Sequence, residues 1–328
     1  MAVPYSQDRH KGNETHFAGL IVLTGMLLIP TLLPEKIGWI ASFVPLPIFY
    51  YLVILGIKDG TILIRNAILL SVAGAFLVGS IPVLIFSFAM VPLGVAFSRA
   101  VTNRKTPVEA GFIGSLFLFL ALILFWSGLG MIHQINPYTT LLVELDEGFS
   151  SGLLLYEESA ELEPETLESV KNAVELLRNN IPKVLPALLI SAILTIAWIN
   201  LILGHWLLKK KNTELTTWPD YIEWKLPEPL VWLVIISGIT VFLLPAPMRI
   251  IGLNVLIVCA TVYFFQGLAI VASLLNKWSV PKLIRVLIYA LIFVQTYGII
   301  ILSFLGLADV WADFRKLNQT DENPKATV

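Results

Sequence analysis

The residues best suited to chemistry in this chain are uncharged. Asn200, Asn254, Tyr263, Gln266, Gln295, Thr296 and Tyr297 all stand inside long apolar runs, where an amide or phenol has no water to satisfy it and demands a partner. Tyr263 and Gln266 are three apart and share a helix face. Gln266 and Gln295 fall on consecutive antiparallel runs at depths that differ by about 6 Å at helical rise. Facing a cavity, such a set would bind a small uncharged or weakly polar solute. Facing other helices it is interhelical glue, with contacts averaging about 0.6 kcal/mol. Pro45 and Pro47 add a second feature, because they lie near the midpoint of the run from 37 to 57. Each removes a backbone donor and frees a carbonyl about four residues earlier. Broken helices at mid-membrane line solute sites through such freed groups, although kinks re-satisfied by neighbouring helices are commoner.

Other chemistries lack their residues. No run carries Asp, Glu, Lys or Arg at its centre, and proton or ion pathways are usually marked by such groups. A proton-coupled transporter, a pump and a voltage sensor are therefore disfavoured. The four histidines, at 10, 16, 133 and 205, stand at or beyond the ends of the runs, and no HExxH, GxSxG or Walker A pattern is present. The single cysteine, Cys259, reads as a small buried hydrophobe and leaves no intramolecular disulfide or cysteine cluster to form. No catalytic residue, metal ligand or cofactor is assigned on these grounds, and the chain is not read as an enzyme.

The elements that must position these residues are membrane helices. Hydrophobic residues make up 57% of the chain and charged ones 14%, against roughly 25% charged in a soluble domain. A globular fold has no surface for that composition. Apolar runs long enough to span occur at 17–33, 37–57, 62–78, 81–98, 110–132, 184–208, 229–245, 250–275 and 283–307. The expected fold is an all-α polytopic bundle of about nine spans. With the N-terminus inside, the inner segments hold Lys58, Arg65, Arg99, Arg104, Lys105, Lys209, Lys210 and Lys211 among other cations, whereas the short outer connections hold only Lys36 and Arg249. The net charge of -1 hides this sorted distribution and says nothing for nucleic acid, whose binders concentrate Lys and Arg on one face, and no nucleic-acid partner is expected.

The expected organisation is a cytoplasmic segment at 1–16, five spans in 17–132, an outer loop at 133–183, four spans in 184–307 and a polar tail at 308–328. The loop is acidic: ten carboxylates stand between Glu144 and Glu175 against Lys171 alone. Leu167, Val170, Val174 and Leu177 recur at helical spacing, and Pro164 suits a helix start with Glu165 and Glu168 near its positive end. The spacing predicts an amphipathic helix, either a solvated cap or a dock for a basic partner. In the third run Ala67, Ser71, Ala75 and Gly79 form a row of small residues that lets another helix, from this chain or from a membrane protein partner, approach closely.

The segments WKLPEPLVW at 224–232, YFFQGLAIV at 263–271 and LGLADVWADFRK at 305–316 together resemble the YybS-like family of bacterial multi-pass membrane proteins, which has no established activity. The resemblance implies a bacterial inner-membrane location and marks Gln266, Gly267, Asp309, Asp313 and Arg315 as the family-motif positions. Read from the residues alone, Asp309 and Asp313 lie four apart on an emerging helix, with Arg315 able to screen them. In layout the first six runs are also similar to the substrate-binding S-components of energy-coupling-factor transporters and to MreD-type cell-shape proteins. S-components dock through small residues in their first helix; here that helix offers Ala18 and Gly25, and the row stands in the third.

Two functions follow as expectations. A solute-binding transporter component would use Pro45, Pro47, Tyr263, Gln266 and Gln295 around a polar cavity. A non-catalytic scaffold of the cell envelope would instead be a packed bundle that presents Ala67, Ser71 and Ala75, with the acidic loop, to a partner.

Overall fold

In the computed structural model the described residues are 5–78, 81–158, 164–211 and 218–316, and among them every regular element is helical. In chain order these are α1 (Tyr5–Leu32), α2 (Pro34–Ile37), a 3-10 turn at Gly38–Phe43, α3 (Pro45–Val78), α4 (Ile81–Ala89), α5 (Val91–Thr102) and α6 (Pro107–His133). There follow α7 (Pro137–Glu158), α8 (Pro164–Lys210), a 3-10 turn at Tyr221–Glu223, α9 (Leu230–Leu243), α10 (Ala246–Lys277), α11 (Lys282–Val294) and α12 (Thr296–Ala312).

Local chemistry sets the starts. Pro107, Pro137 and Pro164 each open a helix, where their missing N–H and fixed φ do no harm. At α6 a capping box reinforces this: Glu109 accepts the Thr106 N–H at 2.9 Å and the Thr106 hydroxyl accepts the Glu109 N–H at 3.2 Å. Asn136 caps α7 by accepting the Tyr138 N–H at 3.0 Å.

Six helical stretches are long and apolar enough to cross a membrane: Glu14–Leu32, Pro34–Leu77, Ile81–Thr102, Pro107–His133, Glu165–Lys210 and Ala246–Lys277. Leu77 is 90% exposed and Phe242 85%, which suits hydrocarbon. Where the sequence reading expects nine runs, these six meet the test on their own; α9 is shorter, and α11 and α12 pass only as a pair bent by 105°. The 44-residue stretch Pro34–Leu77 is not straight. Gly56 sits at φ 78°, ψ 166°, a conformation that only glycine adopts readily. A Cβ on Gly60 would lie 3.0 Å from the Leu52 Cα. Residues eight apart on one straight helix would be about 12 Å apart, so the chain reverses at Gly56 and the arms of α3 pack against each other.

The chain divides into two compact units. The first comprises 1–125, 193–227 and 261–328. In it α1 lies along α3, with the Gly19 backbone against Leu63 and Tyr51 and Gly74 against Leu28. Ala67, Ser71 and Ala75 are buried in this packing at 0%, 0% and 1% exposure, so the small-residue row meets helices of its own chain. Gly79 lies outside the described residues. The second unit comprises 126–192 and 228–260. Here α7 and the first turns of α8 form a hairpin joined by Lys171–Glu157 at 2.7 Å and Arg178–Asp146 at 2.8 Å. The helix expected after Pro164 is present; it runs on without interruption into the sixth apolar run as a single α8. Of its expected apolar stripe, Leu167, Val170 and Val174 are half-buried and Leu177 is exposed.

Candidate functional site

Three of the family-motif positions come together in the first unit. α12 ends at Asp313, whose left-handed conformation (φ 40°, ψ 54°) turns the chain back, a conformation that Asp tolerates better than most residues. The turn returns Arg315 to Asp309, six residues earlier. The Arg315 Nη2 lies 2.8 Å from the Asp309 Oδ2, with side chains 1% and 3% exposed. Asp309 also accepts the Phe314 N–H through Oδ1 at 2.9 Å. From α10, Gln266 donates to Asp309 at 3.3 Å and to the Gly306 carbonyl at 3.1 Å, and accepts the Leu226 N–H at 3.0 Å. The Arg315 Nε donates to the same Asp309 oxygen at 3.2 Å, and Nη1 donates to the carbonyls of Ile222 at 2.8 Å and Trp224 at 2.9 Å.

These bonds fasten the irregular strap at 218–226, which precedes α9, to α10 and α12. Further bonds hold the strap. The Tyr221 hydroxyl donates to the Phe265 carbonyl, and burial pushes its phenol well above the ordinary range, so it serves as a neutral donor. Trp218 donates to the Lys105 carbonyl at 2.7 Å and Trp224 to the Pro219 carbonyl at 2.9 Å. A buried ion pair is tolerable only when its remaining polar sites are met, and the strap carbonyls and the Gln266 amide meet them here. With its donors and acceptors so engaged, the cluster is a latch.

Gly267 makes the approach of α10 and α12 close enough for this. A Cβ on Gly267 would fall 2.1 Å from the Leu302 carbonyl oxygen, and one on Gly306 would fall 2.0 Å from that of Tyr263. Tyr263 is buried at the same crossing, 1% exposed.

The other amides also repair backbone. Asn200 donates to the Ser42 carbonyl and to that of Ile196, both at 2.8 Å. Ser42 lies in the 3-10 turn just before Pro45, so this is a neighbour re-satisfying a proline break. Pro45 opens α3 instead of interrupting it, Pro47 sits in the same first turn, and α5 closes on the break, where a Gly94 Cβ would lie 2.6 Å from the Pro45 carbonyl. In the second unit Asn254 accepts the Ala187 N–H at 2.9 Å and donates to the Lys183 carbonyl at 2.8 Å. It thereby spans both partners of what would be one helical bond, the Lys183 carbonyl just after Pro182 and the Ala187 N–H just after Pro186 of α8. Asn254→Leu removes the tie between α10 and α8 and leaves the two backbone groups only each other, so thermal unfolding in detergent should show a loss of about 0.5–1.5 kcal/mol. An unchanged midpoint would mean that water replaces the amide.

Gln295 does not join Gln266. It is exposed at the bend between α11 and α12, as is Tyr297 at 74%. Asp313 shapes the turn through its left-handed backbone. The sequence reading missed Gly306, which a search for small residues opposite Gly267 would have found, and His205. That imidazole is 4% exposed and forms a three-ring cluster with Trp218 and Trp224, at 6.0 and 5.8 Å from their centres. Among the described residues no three His, Cys, Asp or Glu side chains gather as metal ligands would.

A family model described as predicted membrane protein (DUF2232) matches residues 20–310. No curated protein and no solved structure matches the chain.

Proposed function

Because the chain belongs to the DUF2232 family of predicted membrane proteins, which accords with the YybS-like resemblance of its motifs, we propose that it is a non-catalytic membrane scaffold. Its place is the bacterial inner membrane with the N-terminus inside, and the α7–α8 hairpin docks a basic membrane or envelope protein. The observation that carries this reading is the hairpin surface. Glu144, Glu147, Glu165, Glu168 and Glu175 are exposed with no ion-pair partner among the described residues, beside exposed Leu154, Leu155, Leu176 and Leu177. Uncompensated carboxylates around apolar side chains complement a basic, apolar-striped partner. Within the same unit the Asn254 side chain ties α10 to α8 through the Ala187 N–H and the Lys183 carbonyl. Nine crossings fit the helices if the reversed α3 contributes two, α9 one and the bent α11–α12 pair one.

The test is a photocrosslinking residue at Leu155 or Leu177 in native membranes. We expect a discrete protein adduct that disappears when Glu144, Glu147, Glu168 and Glu175 are replaced by Gln, with the unfolding midpoint held. Lipid adducts alone, or a protein adduct indifferent to these charges, would overturn the docking role.

The transporter-component reading keeps one specific support. The 105° bend leaves Gln295 and Tyr297 at a helix break, the kind of place where discontinuous helices offer backbone groups to solutes. If that reading holds, native mass spectrometry of gently purified protein shows a stoichiometric non-lipid adduct that Gln295→Leu removes. Adduct-free protein sinks it.

A further inference from the structure

Two grooves in the first unit lie on either side of α5. One, of about 480 Å³, runs along α6 past Ile113 and Phe117. The other, of about 420 Å³, runs along the second arm of α3 past Ile64, Ile68 and Leu69. They share Val91, Val95 and Arg99, a stripe of α5 at four-residue spacing that therefore faces outward between them. Each groove is apolar at its Val91 end. The cations that line them are Arg65 and Arg99 in one and Arg99 and Lys105 in the other, with Arg99 about 12 Å along α5 from Val91.

Neither lining contains a carboxylate. Lys105 is paired with Glu109 at 3.4 Å, but Arg65 and Arg99 are exposed with no ion-pair partner among the described residues. A guanidinium at the mouth of paired apolar troughs on a membrane-spanning surface is complementary to one molecule above others. We infer that this face binds an anionic phospholipid astride α5, its phosphate held by Arg99 and Arg65 and one acyl chain lying in each groove. Arginine suits the phosphate because its planar fork presents two parallel donors, and basic pockets between membrane helices are established receivers of anionic head groups. The inference is independent of the docking hairpin, which belongs to the other unit.

Native mass spectrometry of the full chain in detergent, titrated with phosphatidylglycerol or phosphatidylcholine of identical chains, tests it. We expect phosphatidylglycerol to be retained about tenfold better, and Arg65→Gln with Arg99→Gln to erase the difference. Arg249→Gln, an exposed cation of the second unit, should change nothing. Val95→Trp, which fills the shared wall, should reduce retention of both lipids and keeps the test decisive if the double variant misfolds. Equal retention of the two lipids, indifference to the Arg65 and Arg99 changes, or chain-free glycerophosphate binding as well as the lipid would each overturn the site.

Discussion

Arg315→Ala should cost about 3–5 kcal/mol, the usual penalty for stranding one member of a buried ion pair. The substitution leaves the Asp309 carboxylate 3% exposed with only the Phe314 N–H and the Gln266 amide to hold it. It also strips the carbonyls of Ile222 and Trp224 of their shared donor. Loss of the strap should accompany loss of stability, so limited proteolysis within 218–226 should accelerate together with the fall in the unfolding midpoint. Asp309→Asn keeps an acceptor for Phe314 but leaves the guanidinium without a counter-charge, and should fall between wild type and Arg315→Ala. The double replacement Asp309→Leu with Arg315→Met removes both charges and should cost less than the sum of the two single losses. A single-variant loss under about 1 kcal/mol would mean that the pair is solvated, and the latch would then not hold.

Gly306→Leu should be at least as damaging, because its Cβ would meet the Tyr263 carbonyl at 2.0 Å and backbone cannot rotate aside as a side chain can. Overpacking in a filled core costs about 1–3 kcal/mol; here the helices themselves must separate, and the Gln266 bonds across the crossing separate with them. Gly306→Ala already introduces the clash, so it should lower the midpoint too. Gly128→Ala and Gly238→Ala are the controls, since nothing lies within 4 Å of a Cβ at either position and alanine is the better helix former. If Gly306→Ala behaved like these controls, α10 and α12 would not be in contact at this point.

The apolar runs and the helix start at Pro164 were legible because length and a fixed φ act locally. The glue role of Asn200, Asn254 and Gln266 was legible as a demand for partners, but the partners were not. Ser42 and Lys183 offer only carbonyls, and a backbone carbonyl carries no signature in the residue type. The pairing of Gln266 with Gln295 failed for a definite reason. It assumed one straight helix over 283–307, whereas the bend before Thr296 turns Gln295 away, and Asp309, the Gly306 carbonyl and the Leu226 N–H take up the amide. Arg315 and Asp309 are six apart, a spacing that puts two side chains on different sides of a continuous helix; the left-handed turn at Asp313 alone brings them together. His205 was misplaced because its position at the end of an apolar run gives no notice of Trp218 and Trp224 folding over it.

The reversal at Gly56 bears on how the chain is made. The connection between the arms of α3 is very short: Tyr51 and Leu52 already touch Gly60, and Lys58 and Asp59 form an exposed charged tip. An arm emerging alone would leave that tip and its backbone without the partner that covers Gly60. The arms are therefore expected to enter the bilayer as one pre-formed hairpin, with the charged tip never crossing it. Gly56 is thus as much a requirement of biogenesis as of the finished fold.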